Sequence, residues 1–273
     1  MLSDFHIHSD CSTDAMDSMA DMAAAAERAG IDILCFTDHC EIDSSDVGRF
    51  NPNCFAHWPR ILGEYRALCR QYAGPLDLRL GLELGEINHR PELAGEIAGR
   101  EELDFVLGSV HNLRDTPDFY TLRYDSEEQC AALLERYLEE LYELAGLDCF
   151  DCVSHIGYAR RYMLRDGFRA SVEDAPYAER VDALLRRIVE NGRGLEINCS
   201  GFRTPGIDGP IPAVSILRRY RELGGEIITT GSDAHRVSDA GQGIARGVEV
   251  LKALGYRYYT VFRRRKAEFI RIS

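Results

Sequence analysis

The sequence predicts an α/β protein built on a mainly parallel sheet of seven strands, and three observations carry that expectation. Short apolar, β-rich runs alternate with longer segments of helical period along the chain, the pattern of repeated βα units. Side chains of metal-binding type fall at the C-terminal ends of those runs, where parallel α/β folds place their active sites. No internal repeat, low-complexity tract or linker rich in Pro, Gly or Ser divides the 273 residues, so 1–273 is expected to form a single domain.

The first strand is read as Phe5 to His8. A helix from Ser18 to Ala29 takes Asp17 or Ser18 as its cap and stops at Gly30, and Ile31 to Thr37 is the second strand. Helical period from Ile61 to Tyr72 leads to a third strand, Leu78 to Leu84, and a short helix after Pro91 leads to a fourth, Phe105 to Val110. Glu127 to Leu144 carries apolar residues at helical spacing, and Phe150 to Ser154 is the fifth strand. Val181 to Val189 is helical, Gly194 to Asn198 the sixth strand, Val214 to Leu223 a helix ended by Gly224 and Gly225, and Ile227 to Thr230 the seventh strand. A last helix, Val248 to Leu254, precedes an aromatic, basic tail. Periodicity leaves open whether seven such units make an open doubly wound sheet or close into a barrel.

Apolar residues at 45% and charged ones at 28% give enough material for a large core and argue against disorder. A net charge of −13 repels nucleic-acid phosphates and acidic lipid surfaces, so neither is an expected partner. No basic region followed by an apolar stretch opens the chain and no apolar run reaches the length of a membrane span; a cytoplasmic protein is expected. The nine cysteines are odd in number and irregular in spacing, and are expected to be reduced. Cys149 and Cys152 form a CxxC, but inside an apolar run that reads as a buried strand. The basic run Arg263 to Lys266 reads as a solvated edge of the last element rather than a nucleic-acid site.

The chemistry follows from the strand ends. His6 and His8 close the first strand, Asp38 and His39 follow the second, Glu83 ends the third, His111 follows the fourth, His155 ends the fifth, and Asp233 and His235 follow the seventh. A lone His or Asp in a loop is usually solvated; here six of the eight histidines share one edge. His57 and His89 do not, and are expected at the surface or behind the ligands. His6 and His8 are two apart on a strand, so both point to one face and can reach one ion. Asp233 and His235 repeat that spacing, and Asp4, two before His6, is placed either to bind metal or to orient a ligand histidine. Imidazole with bridging carboxylate suits zinc, manganese or iron rather than calcium. So many donors exceed the needs of one ion and imply two or three divalent ions able to activate water and clamp a phosphate.

These residues resemble the PHP (polymerase and histidinol phosphatase) superfamily, through Asp4-Phe-His6-Ile-His8, Thr37-Asp38-His39, Gly81-Leu-Glu83, Gly108-Ser-Val-His111, Ser154-His155 and Gly231-Ser-Asp233-Ala-His235. The resemblance spans most of the chain and implies a distorted (βα)7 barrel with a trinuclear site. It implies one ion on His6, His8, Glu83 and Asp233, a second on Glu83, His111 and His155, and a third on His39 and His235. Asp14 stands where many members have a histidine. Glu83, Asp233 and His39 are the implied catalytic residues, with a metal-bound hydroxide attacking phosphorus directly. Leu195-Glu-Ile-Asn198-Cys-Ser200-Gly-Phe-Arg203 and His155-Ile-Gly-Tyr-Ala-Arg160-Arg161-Tyr162 resemble segments of stand-alone histidinol-phosphate phosphatases that grip phosphate, through Arg203 and through Arg160 or Arg161. The implied substrate is L-histidinol phosphate, in histidine biosynthesis. The alternatives are another small phosphomonoester, 3′-to-5′ exonuclease activity, or a non-catalytic metal-binding domain. Oligomeric state is not indicated.

Overall fold

The structure, a computed structural model, describes residues 1–43 and 54–273. Its centre is a parallel sheet in the order β1 (Ser3–Asp4), β2 (Ile33–Phe36), β4 (Asp77–Gly85), β5 (Phe105–Ser109), β6 (Cys152–Val153), β7 (Gly194–Asn198), β8 (Ile228–Gly231), with β3 (His39–Glu41) continuing the second strand along β4. The two ends of this order meet. The Phe5 N–H donates to the Thr230 carbonyl at 2.8 Å, the His8 N–H to the Ala234 carbonyl at 2.9 Å, and Ile7 bridges Ala234 in parallel. The open-sheet alternative is thereby removed: the sheet is nearly closed as a barrel.

The helices cover the barrel because their apolar faces have no other partner. They are α1 (Met19–Arg28), α2 (Cys54–Gln71), α3 (Pro91–Ala98), α4 (Glu127–Leu144), α5 (Arg160–Arg165), α6 (Ala178–Glu190), α7 (Val214–Glu222) and α8 (Ile244–Ala253), with 3₁₀ turns at Ala175–Tyr177 and Cys199–Arg203. Ser18 caps α1 by accepting from the Asp21 N–H, and Ser126 caps α4 by accepting from the Gln129 N–H. On α6 the buried residues are Val181, Leu184, Leu185 and Ile188, one stripe at helical spacing.

Four expectations need correction. The first strand is Ser3–Asp4, whose ladder partners are Ile33 and Leu34, while Phe5 to His8 run on extended as the seam of the barrel. β3 and α5 lack a periodic apolar signal and were not expected. Among the described residues seven cysteines are free but Cys40 is disulfide-bonded, against the expectation that all nine are reduced; their irregular spacing carries no framework to read. The aromatic, basic tail is a hairpin, β9 (Tyr258–Arg263) with β10 (Lys266–Arg271).

That hairpin turns through Arg264 and Arg265, both left-handed at φ 49° and 61°, a conformation usually given to Asn-Gly. Bonds to the barrel hold it. The Arg264 N–H donates to Asp104 Oδ1 at 2.8 Å and the Arg265 N–H to the Asp104 carbonyl at 2.9 Å. The Arg265 guanidinium binds the buried Asp151 carboxylate and the carbonyls of Ala98 and Cys149. Phe262 of β9 packs on Phe105 at 5.0 Å, and Phe105 on Phe5 at 5.3 Å, so the hairpin stoppers the end of the barrel where the strands begin. Arg265→Ala should therefore lower stability by about 2–4 kcal/mol in urea unfolding, because it strands Asp151. Metal content of the folded protein should stay unchanged, since the ligand-type residues occupy the opposite end.

Candidate metal centre

At the C-terminal edge the donor atoms converge as three sets. His6 and His8 project from the seam, and their Nε2 atoms lie 3.1 and 3.5 Å from Glu83 Oε2 and 3.7 and 3.6 Å from Asp233 Oδ1. Glu83 stands at the end of β4 and serves a second set with its other oxygen: His111 Nε2 is 3.1 Å and His155 Nε2 2.9 Å from Oε1. The third set is nearer solvent. His39 Nε2 and His235 Nε2 lie 3.5 and 3.2 Å from Asp14 Oδ2, and 3.5 Å from each other.

Divalent ions fit these residues on one direct ground. His6 Nε2, His8 Nε2 and Glu83 Oε2 are buried without any hydrogen-bond partner, a costly state for polar atoms unless a cation binds them. The far ring nitrogens are anchored: His6 Nδ1 on Glu196 at 2.7 Å, His8 Nδ1 near Ser12 Oγ at 3.4 Å, His155 Nδ1 near Ser154 Oγ at 3.2 Å, and His235 Nδ1 near the Asp233 carbonyl at 3.2 Å. Such anchoring turns the Nε2 lone pairs inward.

The electrostatics keep the carboxylates ready as ligands. Burial favours the neutral form of Glu83, but His6, His111 and His39 outweigh it and hold its carboxyl well below the usual range. Asp233 is held low in the same way by His6 and Arg161, against its burial. Asp14, also against burial, is pulled below the usual range by His39 and His235. Burial lowers His8 and His155, whereas at His6 the carboxylates of Glu196, Glu83 and Asp233 overcome burial and raise it.

A cavity of about 450 Å³ opens above the three sets. Besides Glu83, Asp233 and four of the histidines, Tyr120, Tyr158, Tyr162, Asp118 and Arg161 line it.

A family model described as "PHP domain" matches residues 4–200, well over half of the chain. The chain belongs to the PHP family. It is 28% identical over 259 residues to a Thermotoga maritima protein named "probable histidinol-phosphatase", covering 94% of each chain. It is 29% identical over 271 residues to a protein of that name from Deinococcus radiodurans, covering 98% of each. Its fold is similar to the crystal structure of a Lactococcus lactis histidinol phosphate phosphatase complexed with zinc, L-histidinol and phosphate, with a TM-score of 0.80, 22% identity and 98% of each chain covered.

Within this PHP barrel the two candidate arginines of α5 part company. Arg161 points into the site, with Nη2 at 2.8 Å from Asp233 Oδ2 and bonded to Ser200 Oγ. Arg160 pairs with Glu173 at 3.0 Å, away from the edge. Arg203 follows β7 in the second 3₁₀ turn, donating from Nη2 to the Asp233 carbonyl at 2.8 Å while its buried Nη1 has no partner. Asp233 itself is left-handed at φ 53°, a strained backbone of the kind that collects at functional sites.

Other ligand-type residues fall outside the three sets. Asp38 accepts from the Ser9 N–H and from the Ser9 and Ser12 hydroxyls at 2.7–2.8 Å, so it ties the first loop down. Asp4 Oδ1 receives the Ser232 N–H at 2.8 Å, fixing the loop that carries Asp233. His89 is not at the surface; its side chain is buried against Glu140. His57 is half-buried on α2.

Three buried carboxylates were missed: Glu196, Glu41 and Glu86. Glu196 supports His6 and also accepts the His155 N–H at 2.9 Å. Its signal was present, since it lies two before Asn198 on one strand and so shares that residue's face. Among 45 acidic residues it did not stand out.

Proposed function

We propose that this chain is a metal-dependent phosphatase that hydrolyses L-histidinol phosphate to L-histidinol and inorganic phosphate, using two or three divalent ions of the zinc, manganese or iron type. Residues 1–273 are read as one domain carrying one such site. The observation that carries the reading is convergent histidine and carboxylate donor sets under a cavity that Arg161 lines, with Arg203 lining an adjoining one. The names of the similar proteins from Thermotoga maritima and Deinococcus radiodurans point to the substrate.

The proposed ligands are His6, His8, Glu83 and Asp233 for one ion, Glu83, His111 and His155 for another, and Asp14, His39 and His235 for the third. Ions held there would supply Lewis acidity toward both water and the phosphoryl oxygens. Arg161 and Arg203 bind the nonbridging oxygens, and offset the charge that grows as the ester bond breaks. Asp233 keeps Arg161 aimed by pairing with it. Tyr158 stacks on His155 at 4.8 Å and meets Tyr162 edge-on at 5.1 Å, a wall that suits a flat ring at the alcohol end of the substrate. Asp118 at the same cavity suits its cationic amine.

Arg161→Ala is expected to cut kcat/KM for the ester by about 10–100-fold, the worth of one lost charge-assisted hydrogen bond. Arg160→Ala should leave kcat/KM within about two-fold of the parent, since a surface ion pair is worth little. Steady-state phosphate release measures both. Dialysis against a chelator should abolish turnover and lower the thermal midpoint, with zinc or manganese restoring both. The assay that tests the function is phosphate release over a panel of L-histidinol phosphate, other phosphomonoesters and single-stranded DNA. Preference for any compound other than histidinol phosphate would overturn the substrate.

A further inference from the structure

Four of the six converging histidines have an Nδ1 partner of their own; the remaining two meet at one carboxylate. Glu41 Oε1 is hydrogen-bonded to His111 Nδ1 at 3.1 Å and lies 3.2 Å from His39 Nδ1, which also stands 3.1 Å from Glu83 Oε2. His111 belongs to the second donor set and His39 to the third. We infer that Glu41 is a positioning residue that orients both rings at once, so that the second and third ions are retained or lost together. This rests on the reading of the edge as a metal centre.

The local structure is arranged around that carboxylate. Glu41 ends β3, in register with Gly85 of β4. A Cβ on Gly85 would stand 1.5 Å from Glu41 Oε2, so only glycine leaves room for the side chain. Glu86 follows in left-handed backbone, φ 54°, and its Oε1 accepts the His111 N–H at 2.7 Å and the Asn112 N–H at 3.2 Å. The ring of His111 is thus fixed by Glu41 and its main chain by Glu86. With its Nδ1 bonded to Glu41, His111 turns Nε2 toward Glu83 and His155; His39, its Nδ1 between Glu41 Oε1 and Glu83 Oε2, turns Nε2 toward Asp14 and His235. One side chain therefore sets the aim of ligands on two different ions, an outer layer of the kind that tunes metal affinity.

The test compares the full-length parent with Glu41→Ala and Glu41→Gln, each loaded with zinc, freed of excess metal and counted for ions per chain. Glu41→Ala should lose two ions together while retaining the one on His6, His8 and Asp233. It should surrender them at about 10–100-fold lower chelator concentration. Gln keeps one acceptor oxygen and should recover part of this. In cobalt-loaded protein the visible bands of the two outer sites should diminish together. The metal-free thermal midpoints of parent and Gln variant should agree, which separates positioning from a merely structural role; should the Ala variant not fold, the Gln variant is read by the same criteria. Parent-like ion content and chelator resistance in the variants would overturn the inference, as would loss of one ion alone or more than three ions on the parent. A parent that binds no ions would instead sink the metal-centre reading itself. No substrate enters the test, so failure on histidinol phosphate would leave this result intact.

Discussion

Glu83→Ala is expected to abolish phosphate release even with zinc or manganese in excess, to below about one-thousandth of the parent kcat, since it removes more than a single preorganised electrostatic contact. Glu83 faces the Nε2 atoms of two donor sets with separate oxygens, Oε2 toward His6 and His8 and Oε1 toward His111 and His155. Without it, the five imidazoles of His6, His8, His39, His111 and His155 face one another with Asp14, Asp233, Glu41 and Glu196 as counter-charge. The outcome is read by phosphate release and by ion count, and both should fall. Full ion content with lost turnover would restrict Glu83 to the chemistry; retained turnover would refute its assignment.

Gly231→Ala should do comparable damage through packing alone. A Cβ at this position would lie 2.2 Å from Glu196 Oε1 and 2.4 Å from His6 Cβ, closer than real Cβ contacts come. Both neighbours are buried, and each is tied to the other by the bond of 2.7 Å between His6 Nδ1 and Glu196. The added methyl must push His6 off the first donor set or break that bond. The expected cost is about 2–3 kcal/mol in chemical unfolding, in the range of overpacked cores, together with loss of the ion on His6 and His8. The same methyl at Gly63, inside α2 where the space is open, should instead raise stability by up to about 1 kcal/mol, because Ala is the better helix former.

What could be read from the sequence was what periodicity and spacing encode. The strand Gly194–Asn198 and the helix Glu127–Leu144 are observed with the boundaries that the apolar pattern predicts. The pairs His6/His8 and Asp233/His235 come to one edge as their spacing of two requires. Four things escaped. β3 is three residues long and carries His39 and Glu41, so no apolar alternation marks it. The hairpin turn uses two arginines where turn chemistry looks for Asn-Gly, and what compensates is tertiary: Asp104 and Asp151, far away in sequence. Glu41, Glu86 and Glu196 are acidic in an acidic chain, and their burial is a property of barrel closure that no local pattern reports. Arg160 and Arg161 are equivalent as letters; only the start of α5 decides which one faces Asp233.

The central claim is that the three donor sets hold ions which, with the arginines, serve hydrolysis of histidinol phosphate. The most direct measurement is inorganic phosphate released from L-histidinol phosphate by the chelator-treated chain as zinc or manganese is added back. The account predicts no turnover without metal, turnover that rises with bound ions and saturates at two or three per chain, and L-histidinol as the other product. Undiminished turnover after metal removal, or two to three bound ions with no phosphate released from this ester, would contradict it.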